Sequence, residues 1–192
     1  MSDFFDTFYL EKICPLRATT CSGDAENNAA FRSGFSVSWD DDESDIRISY
    51  DSPEWAALSL DWTATGSPRW LSLNLSLGDG IIDEGDILAL VFEGYADTSL
   101  ALSLTLRSKI DENVFDVKWE DAVEMHPENG ISTVLHRIEA GEQIVGRLGY
   151  HTLILSLPRQ DNALTLRNLR TFRIPASKGL CRAPETQLSL AV

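Results

Sequence analysis

Apolar and polar residues alternate along most of this chain. In the stretch WLSLNLSL (70–77), leucine occupies every second position, and serine or asparagine fills the positions between the leucines. The stretches SLALSLTLR (99–107) and TLILSLP (152–158) repeat the pattern. A helix would spread these leucines around its whole circumference, whereas a strand gathers them on one face that can be buried. The alternation therefore predicts β-strands.

Shorter segments of the same character predict further strands, at residues 35–39, 46–50, 54–63, 87–95, 114–119, 131–138 and 164–174. Clusters such as TGSP, PENG and PRQDN separate them, and these contain residues that pre-set φ or tolerate positive φ. About ten strands joined by short loops predict an all-β fold, an antiparallel β-sandwich of the jelly-roll type. Residues 87–92 are apolar at every position, which predicts a central strand covered on both faces.

The first 34 residues have a different pattern. A stripe with helical spacing runs through Phe4, Phe5, Phe8, Tyr9 and Ile13. It follows a capping pair, Ser2–Asp3, and Pro15 ends it. This predicts a short helix or an extended arm that packs on one end of the sandwich. We therefore divide the chain into an N-terminal arm, a β-sandwich domain and a C-terminal tail, at residues 1–34, 35–176 and 177–192.

The charge of the chain limits its partners. Asp and Glu number 30 against 16 Lys and Arg, for a formal net charge of −14. Such a chain repels phosphate backbones and anionic lipid, so we expect neither a nucleic acid nor a membrane partner. The start MSDFFDTFYLEK lacks the basic and apolar regions of a signal peptide, which predicts a cytoplasmic location. Cys14, Cys21 and Cys181 lack C-x-x-C spacing and are expected to be reduced, although a Cys14–Cys21 disulfide stays open.

The five tryptophans fall into two groups. Trp39, Trp62 and Trp119 share the apolar side of their predicted strands, so we expect them in the core. Trp70 instead lies on the polar side of its strand with the serines, and Trp55 lies opposite the leucines of its own strand. A tryptophan on a polar face loses favourable burial unless something covers it.

A sugar ring could provide that cover. Its C–H face stacks on an indole ring while polar side chains bind its hydroxyls. On this interpretation Trp55 and Trp70 are stacking platforms, with Asp61, Asn74 and Arg69 as candidate hydroxyl partners. The alternative is that the N-terminal segment or a loop covers both rings.

Three stretches carry a family resemblance: PRWLSLNLSLGDG, GDILALVFEGYADTSLALSLTLR and HTLILSLPRQDNALTLRNLRTFRI. In their order they resemble jelly-roll carbohydrate-binding modules with a galactose-binding-like fold, over roughly residues 35–175. The resemblance implies a non-catalytic domain that binds glycan on a concave face or at loop tips, often with a structural calcium. In that family's closing strand an acidic residue commonly precedes an Asn. Arg167 precedes Asn168 in this chain, which removes that calcium ligand.

The stretch WDDDESDIRISY (39–50) offers other oxygen ligands for calcium. Asp40, Asp42 and Asp45 are the candidate ligands, since calcium needs six to eight oxygens from loops brought together. Consecutive residues of an extended chain point in opposite directions, however, and no recognised calcium-loop spacing is present. The alternative is a solvated turn whose charge keeps neighbouring strand edges apart.

Catalytic motifs are missing from the sequence. His126, His136 and His151 have no H-x-H or H-E-x-x-H spacing, although His136 and His151 could meet across adjacent strands. No G-x-S-x-G or P-loop is present. The sequence therefore favours a non-catalytic carbohydrate-binding module. A structural or protein-interaction domain, with the outer tryptophans in a homo-oligomer contact, is the second hypothesis, and a polysaccharide lyase or hydrolase on the same scaffold is the third.

Overall fold

A computed structural model describes residues 8–16, 18–32, 34–42 and 44–178. A π-helical turn (Tyr9–Ile13) leads into a short α-helical turn (Cys14–Leu16), and a 3₁₀ turn (Ala176–Lys178) lies near the end of the described chain. Within these ranges the chain forms β1 (Cys21–Ala25), β2 (Ala30–Arg32), β3 (Phe35–Trp39), β4 (Ser44–Ser52), β5 (Leu58–Gly66), β6 (Leu71–Ile81), β7 (Ile87–Ala96), β8 (Leu100–Leu102), β9 (Leu104–Ile110), β10 (Asn113–Lys118), β11 (Val123–Met125), β12 (Gly130–Arg137), β13 (Leu148–Ser156) and β14 (Asn162–Ile174).

The strands form two six-stranded sheets. The first, called sheet A below, has the order β1-β4-β5-β14-β7-β12, and the second, sheet B, has the order β10-β9-β13-β6-β3-β2. All of these neighbours pair antiparallel, and β8 and β11 form a small separate ribbon. The predicted all-β antiparallel sandwich is confirmed. No helix in the described ranges is long and apolar enough to cross a membrane.

The core lies between the two sheets and follows the alternation of the sequence. In β6 the leucines at 71, 73, 75 and 77 are all buried. Trp39, Trp62 and Trp119 are buried as predicted. Each leucine or tryptophan buried in this way contributes about 2 kcal/mol or more of hydrophobic stabilisation relative to the exposed side chain. The period of two is therefore what selects strands here over the helical preference of leucine.

The strand β7 lies inside sheet A, between β14 and β12. Leu88, Ala89 and Leu90 are almost fully buried, whereas Ile87 and Val91 are only partly buried, so β7 is an interior strand but the predicted cover on both faces is incomplete. The pairing with β14 shifts register between Leu166 and Asn168. Gly94 lies opposite this irregularity, and a Cβ atom added there would overlap the carbonyl oxygen of Thr165.

The N-terminal helical turns pack against the sandwich. Phe8, Ile13 and Leu16 are buried, and the Phe8 and Phe35 rings lie 6.3 Å apart between centroids. The helix continues past Pro15 to Leu16, so the predicted end at Pro15 is wrong by about one residue, as is common for helix ends. The capping pair and first part of the stripe fall outside the described residues. Cys14 and Cys21 are separate free thiols, and Cys181 also falls outside the described ranges.

The buried indole of Trp62 forms hydrogen bonds with the loop between β13 and β14. Its Nε1–H donates to the carbonyl oxygens of both Pro158 and Gln160, at 3.1 and 2.9 Å. The backbone N–H of Ala64 donates to the Asp161 carboxylate at 2.8 Å in the same region. The β13–β14 loop is thus held against β5 from two sides.

Candidate functional site

The outer face of sheet B is covered with small polar side chains. Because residues alternate across each strand, burying the leucines of β6 turns its serines and asparagine outward. The neighbouring strands β3 and β13 do the same, and cross-strand pairing aligns their side chains with those of β6. The resulting floor consists of Ser36, Ser38, Ser72, Asn74, Ser76, Thr152, Ile154 and Ser156.

This floor lies in a groove of about 710 Å³. Arg69 and Trp70 line it beside Arg159, and Arg107 also lines it. A second hollow of about 510 Å³ shares Ser36 and Ser76 with the groove and reaches the exposed side chain of Tyr150. The two hollows therefore adjoin each other at Ser36 and Ser76, and together they are called the sheet B trough below.

Hydrogen bonds hold part of the floor in place. The hydroxyls of Ser38 and Ser72 lie 2.8 Å apart, and the Asn74 amide donates to Ser38 at 3.2 Å. The Ser72 hydroxyl lies 3.1 Å from the Asn74 amide oxygen. These contacts orient donors and acceptors before any ligand arrives, which reduces the entropy that binding must overcome.

Trp70 stands beside this floor with 47% of its surface exposed. Its backbone carbonyl accepts a hydrogen bond from the Asp40 N–H at 3.1 Å. The Arg69 guanidinium lies 5.1 Å from the centroid of the Trp70 ring, within cation–π range. The ring is therefore both accessible and attached to neighbours that restrict its position.

Asp40 anchors the backbone and side chain of Arg69. Its carboxylate accepts hydrogen bonds from the Arg69 Nε at 2.7 Å, Nη2 at 3.0 Å and backbone N–H at 2.9 Å. These hydrogen bonds from Arg69 hold the pKa of the Asp40 carboxyl well below its usual range. The Asp42 carboxylate accepts a further bond from Arg69 at 2.8 Å. Arg69 thus stabilises the chain segment next to Trp70 through these hydrogen bonds, and it also lines the groove.

The three calcium candidates each have a cationic partner. Asp40 and Asp42 pair with Arg69, and Asp45 lies 3.5 Å from the Arg47 guanidinium. Among the residues that the structure describes, no group of three or more His, Cys, Asp or Glu side chains is arranged to hold a metal ion. The calcium assignment stays a prediction.

The structure separates the other two predicted ligand residues from Trp70. Trp55 is 52% exposed, but it lies in the turn between β4 and β5, and Asp61 lies on the outer face of sheet A. The predicted strand at 54–63 is wrong at its start, because the Ala56 N–H closes a turn onto the Pro53 carbonyl at 3.0 Å. The strand β5 begins only at Leu58. Arg69, Trp70 and Asn74 are the candidates that share one groove.

Sequence analysis missed several residues of the trough. Side chains alternate between the two faces of a strand, and this alternation selected Asn74 in β6. The same rule applied to β3 and β13 would have identified Ser36, Ser38 and Thr152 as outward-facing. Arg107, Arg159 and Tyr150 could not be assigned in this way, because alternation gives the face of a strand but not its neighbours.

His136 and His151 lie in different sheets. His151 in sheet B is fully buried, with Nδ1 2.8 Å from the Ser108 hydroxyl and Nε2 3.1 Å from the Gly80 carbonyl oxygen. His136 lies in β12 of sheet A and stacks on Trp119 at 5.3 Å. The two therefore do not meet across adjacent strands as proposed from the sequence. Burial lowers the pKa of both imidazoles.

Comparison with solved structures identifies the fold. A CBM4 structure matches with a TM-score of 0.50 and 14% identity, over 73% of this chain and 95% of that one. The N-terminal cellulose-binding domain of Cellulomonas fimi β-1,4-glucanase C matches with a TM-score of 0.46 and 14% identity, over 73% and 88% of the two chains. A family 11 carbohydrate-binding module from Clostridium thermocellum, in complex with a β-1,3-1,4-mixed-linked tetrasaccharide, gives 0.44 and 9%, over 79% and 95%.

No protein-family model matches the chain, and no curated protein sequence matches it. At 14% identity the likeness to the CBM4 structure concerns the fold alone. The predicted resemblance to β-sandwich carbohydrate-binding modules is confirmed at that level.

Proposed function

We propose that the protein binds a carbohydrate chain in the sheet B trough, by reversible association and without covalent chemistry. The observation that carries the proposal is the half-exposed indole of Trp70 beside a floor of serine, threonine and asparagine side chains. An indole face binds the C–H face of a sugar ring, and the hydroxyl and amide groups of the floor match its hydroxyls. The fold shared with carbohydrate-binding modules supports this assignment.

The length of the trough favours an oligosaccharide over a single sugar. The stretch of β6 from Ser72 to Asp79 spans roughly 20 Å at the usual rise per strand residue. Trp70 lies near one end of this stretch and Tyr150 near the other. A shallow open site with few anchors is expected to bind with a dissociation constant in the micromolar to millimolar range.

The carboxylates near the Trp70 end of the trough support binding over hydrolysis there. Glycoside hydrolysis needs two carboxyl groups facing each other across the scissile bond. The residues that line the 710 Å³ groove include neither Asp nor Glu, and the two acids that line the trough, Glu11 and Asp79, belong to the 510 Å³ hollow at the Tyr150 end. Asp40, Asp42 and Asp116, which lie next to lining residues, are each paired with an arginine.

The test compares two tryptophan variants against a panel of soluble polysaccharides by affinity electrophoresis, followed by calorimetry on those that retard the protein. Trp70→Ala is expected to weaken binding at least about fivefold, since stacking on an aromatic ring is worth about 1 kcal/mol or more beyond area burial. Trp55→Ala is the matched control. The Trp55 ring is exposed to a similar extent, but it lies in the turn between β4 and β5 of sheet A and does not line the trough. Binding that survives Trp70→Ala unchanged would reject the site.

A second candidate function is self-association through sheet A. The strand β12 is an edge strand, and its side chains Ile131 and Leu135 are 72% and 47% exposed. An open edge with apolar side chains can pair with another chain. Sedimentation velocity at increasing protein concentration tests this, with Ile131→Lys expected to abolish any dimer. A dimer that persists in this variant would exclude β12 as the contact.

A further inference from the structure

The groove differs in charge from the protein that contains it. The chain has a net charge of −14 and 30 acidic residues. The lining of the 710 Å³ groove nevertheless includes three arginines and no acidic residue. Such a distribution is unexpected for a random part of an acidic surface, and it raises the local potential where a ligand would lie.

The three arginines differ in their partners. Arg69 is paired with Asp40 and Asp42, and Arg107 is held by Asp116 through bonds of 2.8 and 2.6 Å. These two side chains are therefore largely neutralised.

Arg159 has no such pairing. It is exposed, and its Nη1 lies 3.4 and 3.3 Å from the backbone carbonyl oxygens of Pro68 and Arg69. No ion pair joins it to an acidic side chain in the part of the chain that the structure describes. These long contacts keep its guanidinium next to the backbone of Pro68 and Arg69, and no carboxylate of the described residues compensates its charge.

At the Tyr150 end of the trough, the lining side chains carry a net negative charge. The 510 Å³ hollow is lined by Glu11 and Asp79 with a single cation, Lys12. A polymer with a carboxylate on every sugar would meet these two acids at the Tyr150 end. A neutral chain with one acidic sugar avoids that repulsion if the acidic sugar lies at the Trp70 end.

We infer that the sheet B trough selects a mostly neutral glycan carrying an acidic sugar, such as a uronic acid, whose carboxylate binds Arg159 beside Trp70. This inference rests on the proposed carbohydrate binding and names the class of glycan. A guanidinium presents a planar fork of N–H donors that matches a carboxylate in two parallel hydrogen bonds. A lysine at this position would keep the charge but lose that geometry.

The experiment uses calorimetry on matched oligosaccharides. Xylo-, manno-, gluco- and galacto-oligosaccharides are each titrated as the neutral chain and as the same chain bearing one glucuronic acid. Polygalacturonate serves as the fully charged probe. The variants are Arg159→Gln, Arg159→Lys and, as a control with the same change of charge on sheet A, Arg137→Gln.

We expect the glucuronic-acid form of at least one backbone to bind about fivefold more tightly than its neutral form, the size of one partly exposed charge-assisted contact. Arg159→Gln should abolish this preference, so that the neutral chain and its glucuronic-acid form bind with equal affinity, and Arg137→Gln should preserve it. Arg159→Lys should retain part of it. The preference should also shrink between 50 and 500 mM NaCl, because salt screens exposed charges.

Four outcomes would overturn the inference. Equal affinity for neutral and acidic forms, or a preference that persists in Arg159→Gln, would show that Arg159 does not select the ligand, while carbohydrate binding itself would stand. Polygalacturonate binding as tightly as the singly charged chains would contradict the role of Glu11 and Asp79. No binding to any probe would reject the proposed function, and this inference with it.

Discussion

Trp62 and Trp119 allow the contribution of one buried hydrogen bond to be measured within a single protein. Both indoles are buried, but the Trp62 Nε1–H donates to two loop carbonyls, whereas the Trp119 Nε1 has no hydrogen-bond partner among the described residues. Replacing either residue by Phe removes similar ring area. Only the Trp62→Phe variant also removes a hydrogen bond and leaves the carbonyls of Pro158 and Gln160 without their donor.

The difference between the two variants follows from this geometry. Loss of ring area costs each variant about 1–2 kcal/mol, which cancels in the comparison. Trp62→Phe additionally loses a shared hydrogen bond worth about 1–1.5 kcal/mol, whereas Trp119→Phe removes a buried N–H that was unsatisfied. We expect Trp62→Phe to be the less stable variant by about 1–2 kcal/mol.

Urea unfolding followed by circular dichroism measures this difference. With a slope of roughly 2 kcal/mol per molar urea for a chain of this size, the midpoint of Trp62→Phe should lie about 0.5–1 M below that of Trp119→Phe. Equal slopes for the two variants are required for the comparison to be valid. Equal midpoints, or a lower midpoint for Trp119→Phe, would refute the reasoning.

Three further predictions follow from other contacts. Gly94→Ala should lower the melting temperature by at least about 5 °C, because its Cβ overlaps a neighbouring backbone oxygen. Gly130→Ala, whose Cβ would make only an ordinary contact with the Glu128 carbonyl oxygen at 3.9 Å, should change it by less than about 2 °C, and differential scanning calorimetry distinguishes the two variants. Burial lowers the pKa of His151, so the unfolded chain takes up this proton more readily than the folded one, and stability should fall as the pH drops below about 6.5. The fall in urea midpoint between pH 7 and 5 should be smaller in His151→Gln, and an unchanged fall would contradict this. Asp40→Ala removes the acceptor of the Arg69 N–H, so hydrogen exchange at that amide should accelerate at least about tenfold by mass spectrometry, with amides of β13 unchanged.

The sequence alone predicted the faces of the strands better than their positions. The leucines of β6 identified its buried side, and the same parity placed Trp70 and Asn74 outside. This works because side-chain direction is a local property of an extended backbone. Trp55 is an exception. It lies in a turn closed by a hydrogen bond to the Pro53 carbonyl and not in a strand, so alternation does not determine the direction of its side chain.

Strand order explains why only some of the candidate residues share one groove. Asp61 and Asn74 both point outward from neighbouring strands of the sequence, β5 and β6, yet these strands belong to different sheets. Arg159 follows β13, which pairs with β6 although many residues separate the two in the chain. Which strands become neighbours in a sheet depends on the packing of the whole core, and no local sequence pattern encodes it.

The floor of the trough contains residues from position 36 to position 156, on β3, β6 and β13. These strands come together only when pairings between distant parts of the chain have formed, and such non-local pairings form late and slowly in β-proteins. A glycan that binds there as proposed would therefore have affinity for the complete sandwich and none for partly assembled forms. It should slow unfolding and protect the chain from proteolysis in proportion to its occupancy, so resistance to protease offers a way to find the ligand without labelling the protein.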